Sequence, residues 1–444
     1  MTDTMITQMP KYESMQDSGF EWIGDIPSSW NLLSVKQIYR LVMEESGKNH
    51  NLELLSVYSD IGVRPRAELE EKGNKASSTD GYWLVRKGDF VVNKLLAWMG
   101  GLGLSEYDGV TSPAYDVLRP RKEICGSYFN YLFRSPACTS ELKKHSRGIM
   151  DMRLRLYFDK FGVVKVPFPS LKEQKAISNF LDKRTSQIDE AIAIKQKQIE
   201  LLKERKQIII QQAVTQGLNP DAPMKDSGVD WIGEVPEHWE VKKLKNICRT
   251  FGRIGFRGYS TSDLVDKDEG AITISPSNIN EDTMSFQKCS FLSWEKYHES
   301  PEIKVNNEDI LIVKTGSSFG KVGYVESLPN EATINPQLLV FKDISINNKY
   351  LYFTMKSSLI TVPINQEIIG STIPTISESK ILNFKILLPD EAEQREIVSH
   401  IESEHDNLNS LIQAQVQQIE TLKEYKTTLI NSAVTGKIKV TELA

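Results

Sequence analysis

Cysteine is scarce in this chain. The four present, Cys125, Cys138, Cys248 and Cys289, are spaced 13, 110 and 41 residues apart. That excludes the usual zinc spacings and reads as separate thiols in a reducing compartment. Long apolar runs are also missing, and nothing approaches the roughly 20 residues that span a bilayer. The opening MTDTMITQMPKYESM lacks the basic start and apolar centre of a secretory leader. A cytoplasmic location, with no membrane partner, is expected. Nucleotide loops are absent too. TGSSFGK, residues 315–321, is Gly-rich and ends in lysine, but its spacing is wrong and no Ser or Thr follows the lysine. GGLG, residues 100–103, opens no periodic helix. NPQL, residues 335–338, is a faint echo of an amino-methyltransferase Asn-Pro-Pro-Tyr motif without a cofactor loop. The six histidines are dispersed; His400 and His405 lie five apart and face different ways on a helix. No Ser/His/Asp order or carboxylate pair stands out. The expectation is a non-catalytic chain holding no metal or cofactor, rather than a nuclease or methyltransferase acting alone.

Net charge is low as well, −5 over 444 residues, which on its face argues against a polyanionic partner. The balance is local. Residues 31–170 carry 21 basic against 16 acidic side chains, and 171–219 carry 9 against 6. Residues 240–388 are even at 17 each. The acid sits in 1–30 and 220–239, each with 1 basic against 5 acidic, and in 389–444, with 5 against 10. Phosphate meets local charge, so a near-neutral total is compatible with a basic face.

What is abundant is self-similarity. DSGFEWIGDIPSSW, residues 17–30, returns 209 residues later as DSGVDWIGEVPEHW, residues 226–239. The stretch beginning at Leu171 returns at Glu391. With an offset of 220, Glu173-Gln174 matches Glu393-Gln394, and Ala213-Val214-Thr215 matches Ala433-Val434-Thr435. Between these anchors KGDFVVNK (87–94) echoes NEDILIVK (307–314), SPAYDVLRP (112–120) echoes NPQLLVFK (335–342), and FGVVKVPFPS (161–170) echoes ILNFKILLPD (381–390). The skeleton recurs while the loops differ. Short β-rich passages and a Gly-rich loop predict an α+β (mixed α/β) domain with a small sheet in each half.

The long segments carry heptads. Leu181, Thr185, Ile188, Ile192, Lys195, Ile199, Leu202, Lys206, Ile209 and Ala213 form one seam. Ile401, His405, Leu408, Ile412, Gln415, Ile419, Leu422, Lys426, Leu429 and Ala433 form the other. Polar residues occupy matching slots, either to fix register or to snorkel at the seam edge. The two helices of one chain are each other's nearest partners, and a pseudo-two-fold repeat would lay them antiparallel. From Leu181 to Ala213 such a rod rises about 48 Å. The expected organisation is a first domain at 1–170, a spacer helix at 171–217, a second domain at 218–388, and a second helix with its tail at 389–444. In the Trp motifs Trp22, Ile23, Pro27 and Trp30, like Trp231, Ile232, Pro236 and Trp239, are expected to be buried between domain edge and helix ends. Their acidic setting opposes a phosphate contact.

The layout resembles the DNA-specificity subunit of type I restriction–modification systems. The resemblance rests on the two DSG-x-x-WIG-x-x-P-x-x-W passages, followed by SVKQI or KLKNI. It rests equally on the two EQ-x-x-I helix starts and on the LLKERK…AVTQG and TLKEYK…AVTGK helix ends. It covers about residues 15–440. It implies two target-recognition domains, each reading one half of a split, asymmetric duplex-DNA sequence, on an antiparallel coiled-coil spacer. It also implies partners: two modification (methyltransferase) subunits and restriction subunits. S-adenosylmethionine, ATP and Mg would then belong to those partners. Seam residues Ile188, Ile192, Ile199, Leu202, Ile209, Leu408, Ile412, Ile419, Leu422 and Leu429 are the expected spacer and partner interface. The rival is a coiled-coil scaffold that binds protein only.

Family motifs do not reach the recognition loops, so base-reading candidates come from composition. In the first domain they are Lys94 and Trp98 on a Gly-rich loop, and Lys143, Lys144, Arg147, Arg153 and Arg155 in KKHSRGIMDMRLR. In the second they are Arg253 and Arg257, then Lys314, Ser317, Ser318 and Lys321, then Asn335 and Gln337. Arginine matches guanine and Asn or Gln matches adenine by bidentate geometry in the major groove. Two heads on one face of B-DNA favour half-sites about 10 base pairs apart.

Overall fold

The computed structural model describes residues 6, 8–48, 51–68, 79–149, 153–229, 231–366 and 374–440. The chain divides into two compact units, Met1–Gln196 with Gln415–Ala444, and Lys197–Ala414. Both long helices, Leu171–Gln216 and Glu391–Val434, therefore contribute to each unit.

The first unit is built on an antiparallel sheet of β1 (Tyr39–Val42), β2 (Phe90–Asn93), β3 (Leu102–Leu104) and β4 (Tyr115–Pro120), in the order β1-β4-β2-β3. All of β2 is buried. Its alternating side chains serve two cores. Phe90 and Val92 face the helices, and Val91 joins Leu55, Val57, Val63 and Val85 on the other side. A strand covered on both faces reads as an unbroken apolar run, which is why FVVN shows no alternation. Helix α1 (Gly126–Arg134) buries Tyr128, Phe129, Leu132 and Phe133 on one stripe, and α2 (Pro136–His145) follows, capped by Ser135. The helical core also takes in Leu181 and Ile188 of the first long helix and Leu429, Ala433 and Val434 of the second.

The second unit repeats this plan. Strands β5 (Arg249–Gly252), β6 (Ile310–Val313), β7 (Val322–Tyr324) and β8 (Leu338–Lys342) run in the order β5-β8-β6-β7. Ile310 and Ile312 face one core, Leu311 and Val313 the other. Helices α3 (Asn348–Lys356) and α4 (Ser358–Gln366) stand where α1 and α2 stood. The units differ in what covers the far face of the sheet. The first has two separate strand pairs there; the second has a five-stranded sheet with one parallel pair, Gly270–Ile274 on Ala332–Ile334.

In each unit the long helices run antiparallel. Lys195 reaches Gln415 at 3.2 Å and Lys426 reaches Asp189 at 2.7 Å in the first unit. In the second, Lys206 reaches Asn409 at 2.8 Å while Ala213 and Ile401 share one core. All twenty seam positions are buried or half-buried. Ile419 is buried, but Ile199, at the matching position, is only half-buried. The polar slots divide the two explanations. Lys206 is buried and bonded to Asp282 and Asn409, whereas Lys426 reaches across to an exposed Asp189 and stays 30% exposed itself.

Candidate nucleic-acid interface

The doubled Trp motif is a joint. Its hairpin, Met15–Asp17 on Asp25–Pro27, recurs as Met224–Asp226 on Glu234–Pro236. Buried Trp30 donates its indole N–H to Glu173 Oε1 at 3.1 Å, and Trp239 donates to Glu393 Oε2 at 2.9 Å. Glu173 also accepts from the Ser170 hydroxyl, closing the first turn of its helix. The next residue works in parallel. Gln174 accepts from the Cys125 backbone and donates to the Pro169 carbonyl; Gln394 accepts from the Asn347 backbone and donates to the Pro389 carbonyl. One dipeptide thus ties the long helix to both the Trp motif and the start of α1 or α3. The far end of the other long helix closes the joint. Gly436, at φ +74°, lies so close that a Cβ would come 2.3 Å from Pro27, and Gly217, at φ +72°, sits against Trp239 and Pro236. Trp22 is half-buried. The expected burial of Trp231 fails: it is 42% exposed, since its hairpin leaves the ring outside the packed face.

The joint and sheet together present two loops at the same place in each unit. In the first unit the Lys94 carbonyl accepts from the Leu156 backbone at 2.9 Å; in the second the Lys314 carbonyl accepts from Ile376 at 3.0 Å. The Lys94 loop is thereby held beside Leu156, next to the bridge between Arg147 and Arg155. Lys143 lies 4.8 Å over the half-buried Trp98 ring. Lys144 pairs with Glu141 but stays exposed, and Arg147, Arg153 and Arg155 are exposed. Ile149 is 99% exposed. Lys94 itself turns inward, to the Pro113 carbonyl and Asp116.

In the second unit Lys314 and Gly316 meet Asn335 and Gln337. The Lys314 backbone donates to the Gln337 carbonyl at 2.8 Å, and Asn335 and Gln337 hydrogen-bond to each other. Ser317 is exposed, and Ser318 and Lys321 are half-exposed on the same turn. Arg253 does not belong to this set. It is 5% exposed, and its guanidinium donates to Ile334 O, Thr333 Oγ1 and Arg257 O, with burial lowering its pKa. A guanidinium so committed supports the loop instead of reaching a base. Arg257 pairs with Glu302 at 3.1 Å.

One cluster had no forewarning in the sequence. Asp282 in the second unit bridges Lys206 and Lys356. Burial pushes its carboxyl up, but the two ammonium groups outweigh that and hold its pKa below the ordinary value. Among the described residues no group of His, Cys, Asp or Glu is arranged to hold a metal ion, and no helix is long and apolar enough to cross a membrane. The seam residues expected as a partner interface are buried or half-buried. The apolar residues left outside are Leu201, Ile208 and Leu411 in one unit, and Ile194 and Val416 in the other.

An α+β module used twice, with its variable loops anchored at matching backbone positions beside a shared helix pair, defines a class of two-headed recognition protein. Comparison with known proteins narrows it. The family model for the type I restriction modification DNA specificity domain matches residues 66–204 and 236–421, and the chain belongs to that family. It is 27% identical over 375 residues to the type I restriction enzyme MjaVIII specificity subunit of Methanocaldococcus jannaschii, covering 81% of this chain and 83% of the relative. The MjaIX specificity subunit of the same organism is 23% identical over 447 residues, covering 95% and 96%. Among solved structures, a chain from a type I R-M system studied for its complex assembly and conformational transition aligns with a TM-score of 0.69 at 14% identity, over 93% of this chain and 99% of that one. The HsdS subunit from Thermoanaerobacter tengcongensis aligns with a TM-score of 0.51 at 16% identity, over 96% and 100%.

Proposed function

We propose that this chain is the target-reading subunit of a type I restriction–modification complex, and that each unit reads one half of a bipartite, asymmetric duplex-DNA sequence. The observation that carries this is the matching backbone anchorage of Lys94 and Lys314 beneath loops whose sequences differ. A shared frame with divergent loops is what two readers of two different half-sites require. In the first unit the exposed Arg147, Arg153 and Arg155 supply the phosphate and guanine contacts. In the second, Ser317, Lys321, Asn335 and Gln337 supply the polar edge. The outward apolar residues Leu201, Ile208 and Leu411 belong to the surface that docks modification subunits, two per chain. S-adenosylmethionine, ATP and Mg are bound by the modification and restriction subunits, and the chain itself performs no chemistry.

Two measurements test this. Methylated adenines are mapped in DNA from cells carrying the chain with its modification subunit; a single split motif with an unread gap is expected. Binding of that complex to duplex DNA should also weaken steeply with salt, because phosphate neutralisation releases counterions. Salt-insensitive binding, or methylation at a continuous motif, would refute the reading.

A further inference from the structure

Within the second unit, the connection between strands Gly270–Ile274 and Ser290–Ser293 folds into a tight turn, with Asn280 N donating to Thr283 O at 2.9 Å. The tip of this turn touches α3 and the first long helix. Lys356, the last residue of α3, donates to the Glu281 carbonyl at 2.7 Å and lies 3.3 Å from Asp282 Oδ1. Asp282 Oδ2 pairs with Lys206 of the first long helix. The Lys206 ammonium also donates to Asn409 of the second long helix at 2.8 Å. Lys206 and Lys356 are nearly buried, at 5% and 11% side-chain exposure.

The first unit holds the same parts in a different arrangement. Arg134, the last residue of α1, donates to the Ser59 and Asp60 carbonyls at 3.0 and 2.7 Å, gripping the turn between strands Leu55–Tyr58 and Gly62–Pro65. Lys426, 220 residues after Lys206, pairs instead with Asp189, 220 residues before Asn409. The Asp60 side of the turn stays apart from Lys426 across a cleft of about 360 Å³ lined by both residues, Arg134 and Thr185. In one unit, then, the carboxylate that neutralises the seam lysine sits on the facing helix. In the other, an asparagine replaces it there, and the carboxylate has moved to the recognition domain.

We propose that Asp282 is a positioning residue: it clasps the second recognition domain to its length of spacer helix and so sets the gap at which the second half-site is read. This rests on the reading of the chain as a target-reading subunit. The turn's other tie to the first long helix, Glu281 with Lys203 at 3.1 Å, is exposed and therefore weak, so without Asp282 the turn could rock on α3. A turn tied to Lys206 cannot move without stranding a buried ammonium, which is costly. The clasp therefore converts a counter-charge into a hinge lock. The first domain, whose lysine is satisfied by Asp189, has no such tie through Lys426.

The rival is that Asp282 serves only as a counter-charge, and the pseudo-symmetry supplies the control. Asp282→Asn alone should lower the melting temperature and speed hydrogen exchange across residues 279–284 in the full chain. Adding Asn409→Asp restores to the helix the carboxylate found in the other unit. That double variant should regain the melting temperature, yet exchange at 279–284 should stay about tenfold or more faster than in the parent. In complex with the modification subunit it should methylate sites whose gap is one base pair longer or shorter, with both half-site sequences intact. Should Asn409→Asp fail to rescue folding, Asp282→Asn with Lys206→Met removes both charges and is expected to show the same loose turn and gap. Parental exchange and a single gap in either double variant would overturn the clasp. A parent complex that methylates no split site, with the exchange result intact, would instead sink the target-reading function and leave only the mechanical lock.

Discussion

Trp30 and Trp239 each bury a large ring and give their one polar atom to a carboxylate, Glu173 or Glu393. A buried indole N–H without an acceptor is penalised, so ring and carboxylate are a unit. Glu173→Ala or Glu393→Ala should cost about 1–3 kcal/mol, read as a lower melting temperature, with DNA contacts untouched. His405 is the second residue with a sharp consequence. It is buried on the seam against Phe353, with Nε2 3.3 Å from the Lys206 carbonyl. Burial, aided by Lys206 and Lys356 and opposed by the Lys206 carbonyl and Asp282, holds its pKa below the ordinary 6.5. A depressed folded value means the neutral form is the one that packs. The stability it contributes is complete above about pH 6.5 and is lost as the pH falls toward and through the folded value. The melting temperature of the parent should therefore drop more between pH 7.5 and 5.5 than that of His405→Gln. Equal drops would show that the ring is solvated.

At the level of elements, the helix pair has an inside and an outside that hydropathy alone does not separate. Ile419 is buried at 6% exposure, Leu201 is 52% exposed, and both are aliphatic residues on heptad-patterned helices. Ile419→Asp buries a carboxylate with no partner and should destabilise by roughly 3–5 kcal/mol. Ile199→Asp, half-buried, should cost less. Leu201→Asp should leave the melting temperature within about a degree, since exposed sites contribute little, and should instead abolish copurification with the modification subunit. If Leu201→Asp melts early and still copurifies, the outer face is structural and the docking surface lies elsewhere.

For the whole molecule, the repeat makes the two units separable in function. Exchanging residues 31–170 for the matching domain of a relative should change one half of the methylated motif and leave the other unaltered. A swap that changed both halves, or neither, would contradict one reader per unit. The tandem repeat, the two long helices, their seam and the mixed α/β class were all legible in the sequence, because each is written as periodicity or as self-similarity at a fixed offset. The Glu-Gln dipeptide was visible as a match at offset 220, but periodicity does not say what a side chain bonds to. A Gly- and Arg-rich stretch looks the same whether its guanidinium faces solvent or a carbonyl, so only the fold shows Arg253 turned inward. A heptad position does not say how many neighbours cover it, so pattern alone does not separate half-buried Ile199 from buried Ile419. Nothing local marks Asp282, which lies 76 residues from Lys206 and 74 from Lys356. Local pattern determines which elements form and which faces are apolar, since those depend on neighbours three, four or seven residues away. Which charges meet, and which are left in water, depends on contacts between distant segments, and only the packed chain decides them.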